Sequence, residues 1–300
     1  MNAATLHGTL HVGAGQQLGP LTWFPLWSDA TALTGHRTHA AATAALQVTE
    51  CQQPTVPWLT VTNTTDQPVL LLDGELLAGG RQDRISTASH LLAPHSVTDI
   101  PVACVEQGRW ARSGAGLHRR GHATPTLRAG NHRALARSRR HHAWTADQDG
   151  TWREVARLRA RSSAPAPTGS LTDVDRHVRR HNTSRPALPG PLEGQRGLLI
   201  GYGGRIRTLD LLASSRDLAA YWEPLLQGAW LDAATSPPVP VRSGQARRFV
   251  TQLCRLRYQQ RPSRSLGQDL RATGPTITAA ALHHHGQVVH LSAFDLTLGA

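Results

Sequence analysis

The feature that most constrains this chain is a succession of short apolar runs between residues 56 and 104, each closed by turn-forming residues. "VPWLTVTN" (56–63) and "QPVLLLDGELL" (67–77) are apolar or β-branched, and "NTTDQP" separates them as a turn. "APHSVTDIPVACVE" repeats the pattern, with a turn at 94–96 leading into a strand. Such runs read as strands because branched side chains pack well on a pleated surface, while Gly, Pro, Asn and Asp favour turns. Pro101 has no N–H to donate to a ladder, which predicts an edge or a bulge inside the last run.

The pattern changes after residue 110. Asp149 is placed to cap a helix over "TWREVARLRARS", whose apolar positions share a face. "SSAPAPTGS" reads as a flexible loop, and Ser170 with Asp173 resembles a capping box for "LTDVDRHVRRH". "NTSRPALPGPLEGQ" (182–195) reads as a linker. Beyond it, "GLLIGYGGRIRTLDLL" and "TITAAALHHHGQVVHLSAF" are hairpins turning at Gly203-Gly204 and His285-Gly286. Between them Ser214 with Asp217 caps a helix that Pro224 should kink or divide, and "ARRFVTQLCRLRY" is amphipathic.

Strands with segregated helices predict an α+β chain. Its antiparallel β-rich core is sandwich- or barrel-like, the double-stranded β-helix type included, with helices inserted and in the C-terminal half. The expected organisation is one domain over 1–300: a β-rich part (1–110), a basic helical and linker part (111–190), and a hairpin–helices–hairpin part (191–300) that completes the same core.

Charge narrows the chemistry. All 32 basic residues are arginine and the net charge is +12. Without lysine, Schiff-base catalysis and a P-loop lysine are excluded. From Gln107 to Ala146 there is no acidic residue, and the span holds nine arginines. It is either an electrostatic footprint for an anion, acidic protein or nucleic acid, or a solvated loop. Few aromatics and no RRM, zinc-finger or helix-turn-helix pattern leave only non-specific nucleic-acid contact. Cys51, Cys104 and Cys254 are scattered, which argues against a structural zinc site or a disulfide framework. No metal ligand set and no cofactor is expected; a site drawn from Asp73, Glu75, Glu106 and His290 has no supporting spacing. No apolar run is long enough to span a membrane and the start lacks a signal-peptide pattern, so the expectation is cytoplasmic with no membrane partner.

Charged residues crowd the apolar strands between 73 and 110: Asp73, Glu75, Gln82, Arg84, Glu106, Gln107, Arg109 and Trp110. Arg84 and Arg109 suit phosphate oxygens, because guanidinium geometry matches phosphate bidentately. The carboxylates suit ribose hydroxyls or proton transfer, Gly79 and Gly80 allow close approach of a ligand, and Trp110 can stack on a base. Equally, Asp73 can simply shape a turn, and Glu75 or Glu106 can pair with Arg84 or Arg109 as an internal salt-bridge network. Cys104 to Arg109 spells C-x4-R, but Glu106 within it would repel an anion, and a strand cysteine acting as a small hydrophobe is the simpler reading. "GYGGRI" leads into a strand and lacks the third glycine of a dinucleotide fingerprint.

The blocks "LLLDGELLAGGRQDR" and "IPVACVEQGRW", continued in "DQDGTWREVARL", "GYGGRIRTLDLLASS" and "GQVVHLSAF", together resemble the ARPP-1 domain family. The resemblance covers nearly the whole chain. It implies association with ADP-ribosylglycohydrolases and rhodanese-phosphatases, and so binding or processing of an ADP-ribose- or NAD-derived nucleotide. The alternative is a non-enzymatic scaffold that uses the Arg-rich 111–145 segment. Asp83 stands where the family pattern has asparagine, and Leu212 where it has an aromatic residue.

Overall fold

In the computed structural model, the residues described are 6–111, 113–137, 144, 146–181, 188–234 and 236–298. In chain order the strands are β1 (Leu10–Val12), β2 (Gln16–Leu18), β3 (Leu21–Ser28), β4 (Arg37–Thr38), β5 (Leu46–Glu50), β6 (Trp58–Asn63), β7 (Val69–Leu71), β8 (Glu75–Gly80), β9 (Arg84–Ser86), β10 (His90–Leu92), β11 (Ser96–Cys104) and β12 (Ser113–His122). Three helices follow: α1 (Pro125–Arg137), α2 (Gln148–Ser162) and α3 (Leu171–His181). The remainder is β13 (Gly197–Tyr202), β14 (Arg205–Leu212), α4 (Ser215–Ala233), α5 (Ser243–Cys254), β15 (Gln259–Arg261), β16 (Gln268–Thr273), β17 (Ile277–His284) and β18 (Gln287–Asp295). The chain is α+β, as its sequence predicts.

Two compact units emerge, one of residues 36–185 and one of 1–35 with 186–298. In the first, six antiparallel strands close into a barrel in the order β11-β6-β5-β12-β8-β9. Closure leaves no unpaired edge, and the barrel interior is filled by Val48, Leu59, Val61, Leu77, Ile100, Val102 and Leu117. Pro101 marks the point where β11 changes partner, from β6 up to Pro101 to β9 from Val102 onward. A missing N–H costs least at such a handover.

The compositional shift at 110 is not a structural boundary. Residues 113–122, read from sequence as part of a helical and linker region, form β12, which pairs with both β5 and β8. The alternation that marks a strand is hidden there by glycines and arginines. α2 is capped by Asp147, whose side chain accepts from the Gly150 N–H, while Asp149 lies in the first turn. The loop expected to be flexible at 162–170 is instead held at its end: Thr168 and Ser170 donate to Glu106 and Asp83.

In the second unit the two predicted hairpins form at the predicted turns. Gly203 and Gly204 both have positive φ, the backbone a two-residue hairpin turn requires. The hairpins meet through β14 and β18 and continue to β3 and β1 on one side and β16 and β15 on the other. They complete this sheet and its own core, built on Phe24, Leu209, Leu291 and Leu253, and not the barrel interior. α4 runs unbroken from Ser215 to Ala233 with Pro224 inside, so the proline does not divide it. Ser214 caps it as expected. No helix among the described residues is long and apolar enough to cross a membrane.

Candidate functional site

The predicted cluster lies wholly in the 36–185 unit, but it divides between the two ends of β8. Glu75 begins β8 and Gly80 ends it. At about 3.3 Å per residue, these ends are roughly 16 Å apart.

At the first end, Asp73 and Glu75 are paired with arginine and histidine side chains of the Arg-rich span and with His39, just after β4. Asp73 accepts from Arg128 Nη2 at 3.1 Å and from His132 Nε2 at 3.0 Å, both on α1. His39 Nδ1 donates to Glu75 Oε2 at 2.6 Å, and Arg119 Nε on β12 lies 3.3 Å from the same oxygen. Asp73, Glu75, Arg128 and His132 are all buried. Asp73 therefore does more than shape the Gly74 turn: it joins that turn to α1. None of these partners was legible from local motifs. The signal that exists is global: an acid-free basic span follows a β-rich stretch that holds acids among its apolar strands.

At the second end, Glu106 and Arg109 form a closed clamp with Asp83. Arg109 donates through Nε to Glu106 Oε1 at 2.8 Å and through Nη2 to Glu106 Oε2 at 2.5 Å, with Asp83 Oδ1 at 3.3 Å. Its Nη1 reaches the carbonyls of Gly80 and Ala111. Glu106 also accepts from Thr168 and from the Asp83 N–H. Asp83 Oδ2 accepts from Ser170 and Thr172. Burial pushes the Glu106 carboxyl up, but the bonds from Arg109, Thr168 and Asp83 outweigh it and hold it below the usual carboxylate range. A carboxyl held down in this way is a poor proton donor near neutral pH.

The glycines before this clamp serve the backbone. A Cβ on Gly79 (φ 118°) would come within 2.6 Å of the Gly116 carbonyl, so the glycine allows β12 to approach β8. The asparagine-to-aspartate departure at Asp83 likewise finds a use, since Oδ2 accepts from Ser170 and Thr172 while Oδ1 accepts from Arg109 and the Gly79 N–H.

Arg84 is different. It faces Cys104 directly across the β9–β11 ladder and is 0% exposed. Only its Nε has a hydrogen-bond acceptor, the Val56 carbonyl at 3.2 Å. Nη1 and Nη2 are buried with no hydrogen-bond partner among the described residues. Burial pulls its pKa down, with Cys104, Glu50 and Asp83 opposing that and Arg109 adding to it. Arginine nevertheless stays protonated in proteins. Glu50 Oε2 is also buried without a hydrogen bond. The nearby Gln82 donates through Nε2 to the Glu106 carbonyl at 2.8 Å, which fixes its amide orientation and leaves Oε1 buried and unbonded. Trp110, 46% exposed, lies with its ring 5.8 Å from the Arg84 guanidinium carbon and 5.5 Å from that of Arg81. Gln107 is exposed on the same loop.

Cys104 is no activated nucleophile. Burial pushes its thiol up, more than the Glu106 backbone and the Arg84 charge pull it down. Sγ donates to the Glu106 carbonyl at 3.2 Å, and Gln148 of α2 bonds both backbone groups of Cys104. No group of three or more His, Cys, Asp or Glu side chains placed to hold a metal occurs among the described residues.

The 36–185 unit is a closed antiparallel barrel with a fully buried arginine in its wall, the other unit is a sheet with helices, and together they define an α+β protein. Residues 9–294 match the model of the ARG and Rhodanese-Phosphatase-superfamily-associated Protein domain, ARPP-1, and the chain belongs to that family. No curated protein and no solved structure matches it.

Proposed function

We propose that the 36–185 unit binds a phosphate-bearing nucleotide of the ADP-ribose or NAD-derived class, with Arg84 as the anchor for the anion. The observation that carries this reading is the buried guanidinium whose Nη1 and Nη2 lack acceptors. A buried polar group left unpaired costs roughly 1–3 kcal/mol, and more when charged, so an unmet cation needs a reason. An incoming phosphate supplies two acceptors and a countercharge in one group. Trp110 offers an exposed aromatic face beside it, suited to a base. The family's description, which sets it beside ARG and rhodanese-phosphatase proteins, supports the same ligand class.

The reading is one of binding. Glu106 is hydrogen-bonded to Arg109, Asp73 to Arg128 and His132, and Glu75 to His39, and burial pushes the Cys104 thiol up, so the groups that would move protons or attack are engaged elsewhere. The scaffold alternative loses part of its basis, because Arg119, Arg128 and His132 of the Arg-rich span pair internally. Arg112, residues 138–143 and residue 145 of that span lie outside the described residues.

The test is thermal unfolding with ADP-ribose, NAD and nucleoside diphosphates. Ligand at 100 times its Kd adds about 2.7 kcal/mol of stability. The expected result is stabilisation by at least one of them that disappears in Arg84→Met. No shift with any of the three would overturn the reading.

A further inference from the structure

We propose that the ligand presents a hydroxyl beside its anionic group, as a sugar phosphate does, and that Gln82 is the residue that selects for it. This rests on the Arg84 reading and sharpens it. Two residues with unmet groups of opposite hydrogen-bond character are both tied to Cys104, one by strand pairing and one by a shared acceptor. Arg84, the cross-strand partner of Cys104, holds out donors on Nη1 and Nη2. Gln82 holds out an acceptor, Oε1. Its position is set because Gln82 Nε2 and Cys104 Sγ both donate to the single carbonyl oxygen of Glu106.

A bare phosphate monoester dianion satisfies Arg84 and leaves Gln82 Oε1 facing an oxygen with no proton to give. A hydroxyl donates to Gln82, while an adjacent phosphate oxygen accepts from Arg84. Sites built to hydrogen-bond a hydroxyl discriminate strongly against analogues without one, because the buried polar atom is then left unpaired. Burial of both groups, 4% and 0% exposed, is what makes that discrimination large.

The experiment is calorimetric titration of the full chain with ribose 5-phosphate and with methyl phosphate, a monoester without a hydroxyl, at one fixed ionic strength. The wild-type protein is expected to bind ribose 5-phosphate at least fivefold more tightly, and a smaller ratio overturns the proposal without any variant being needed. In Gln82→Met, of similar volume, the ratio is expected to fall by half or more, with methyl phosphate affinity changed less than threefold; an unchanged ratio overturns the selection role. If both ligands bind with a ratio near one and both are lost in Arg84→Met, the anion site stands and only the Gln82 inference fails. If neither ligand binds, the Gln82 inference fails, and the nucleotide unfolding series decides the Arg84 reading separately.

Discussion

The two ends of β8 carry the same residue types and opposite designs. Around Asp73 and Glu75, each carboxylate meets an arginine and a histidine from distant elements: Arg128 and His132 on α1 for Asp73, and Arg119 on β12 and His39 after β4 for Glu75. Around Arg84, a guanidinium of equal burial keeps Nη1 and Nη2 unbonded. Buried charge by itself therefore does not mark a site. At Arg84 the unmet capacity is both guanidinium Nη groups, which a protein tolerates where something else completes them.

The largest expected effect is at the closed end. Asp73→Ala strips an acceptor from two buried partners, Arg128 and His132. The expected cost is about 3–5 kcal/mol of stability, read as a lowered midpoint in urea. A loss below about 1 kcal/mol would dissolve the contrast between the two ends.

Next comes the clamp. Glu106→Gln leaves Arg109 without its strongest partner and loosens Thr168, for an expected loss of about 2–4 kcal/mol at pH 7. Because Glu106 is held below its ordinary value of 4.5, its contribution is complete above that pH. It fades as pH falls through the lower, folded-state value, where the unfolded chain binds the proton first. Acid titration of stability should therefore fall less steeply below pH 4.5 in the variant than in wild type. Equal slopes would remove Glu106 as a contributor.

Arg84→Met tests the open end with the opposite sign. Removing a buried charge that lacks Nη partners should leave the ligand-free protein unchanged or raise its stability by up to about 1 kcal/mol, since apolar replacements of buried ions are often neutral or stabilising. A loss of several kcal/mol would mean that Arg84 is a structural clamp, with Glu50 as its countercharge. The smallest effect belongs to Trp110→Ala. Its ring contacts with Arg81 and Arg84 are partly exposed, so the expected cost is about 0.5–1 kcal/mol. Nucleotide affinity should drop more than stability does.

Much of the fold was legible because its signals are local. Period-two apolar runs mark β6 and β11, Gly-containing turns mark both C-terminal hairpins, and Ser214 marks the start of α4. β12 escaped because its glycines and arginines mask alternation; its identity comes from pairing with β5 and β8, which are distant in sequence. Gly79 and Gly80 looked like ligand contacts and proved to admit β12 and Glu50.

By itself, the amino-acid order determined which residues could carry chemistry: an arginine-only cation set, acids beside apolar strands, and the blocks of the ARPP-1 family. Only tertiary structure decided which charges close on each other. Arg109 and Arg84 are alike as letters, yet one hydrogen-bonds to Glu106, Asp83 and three backbone carbonyls while the other, among the described residues, hydrogen-bonds only to the Val56 carbonyl. The reason is geometric. Hydrogen bonds act over about 3 Å, whereas the partners of these two side chains lie up to 30 positions away along the chain.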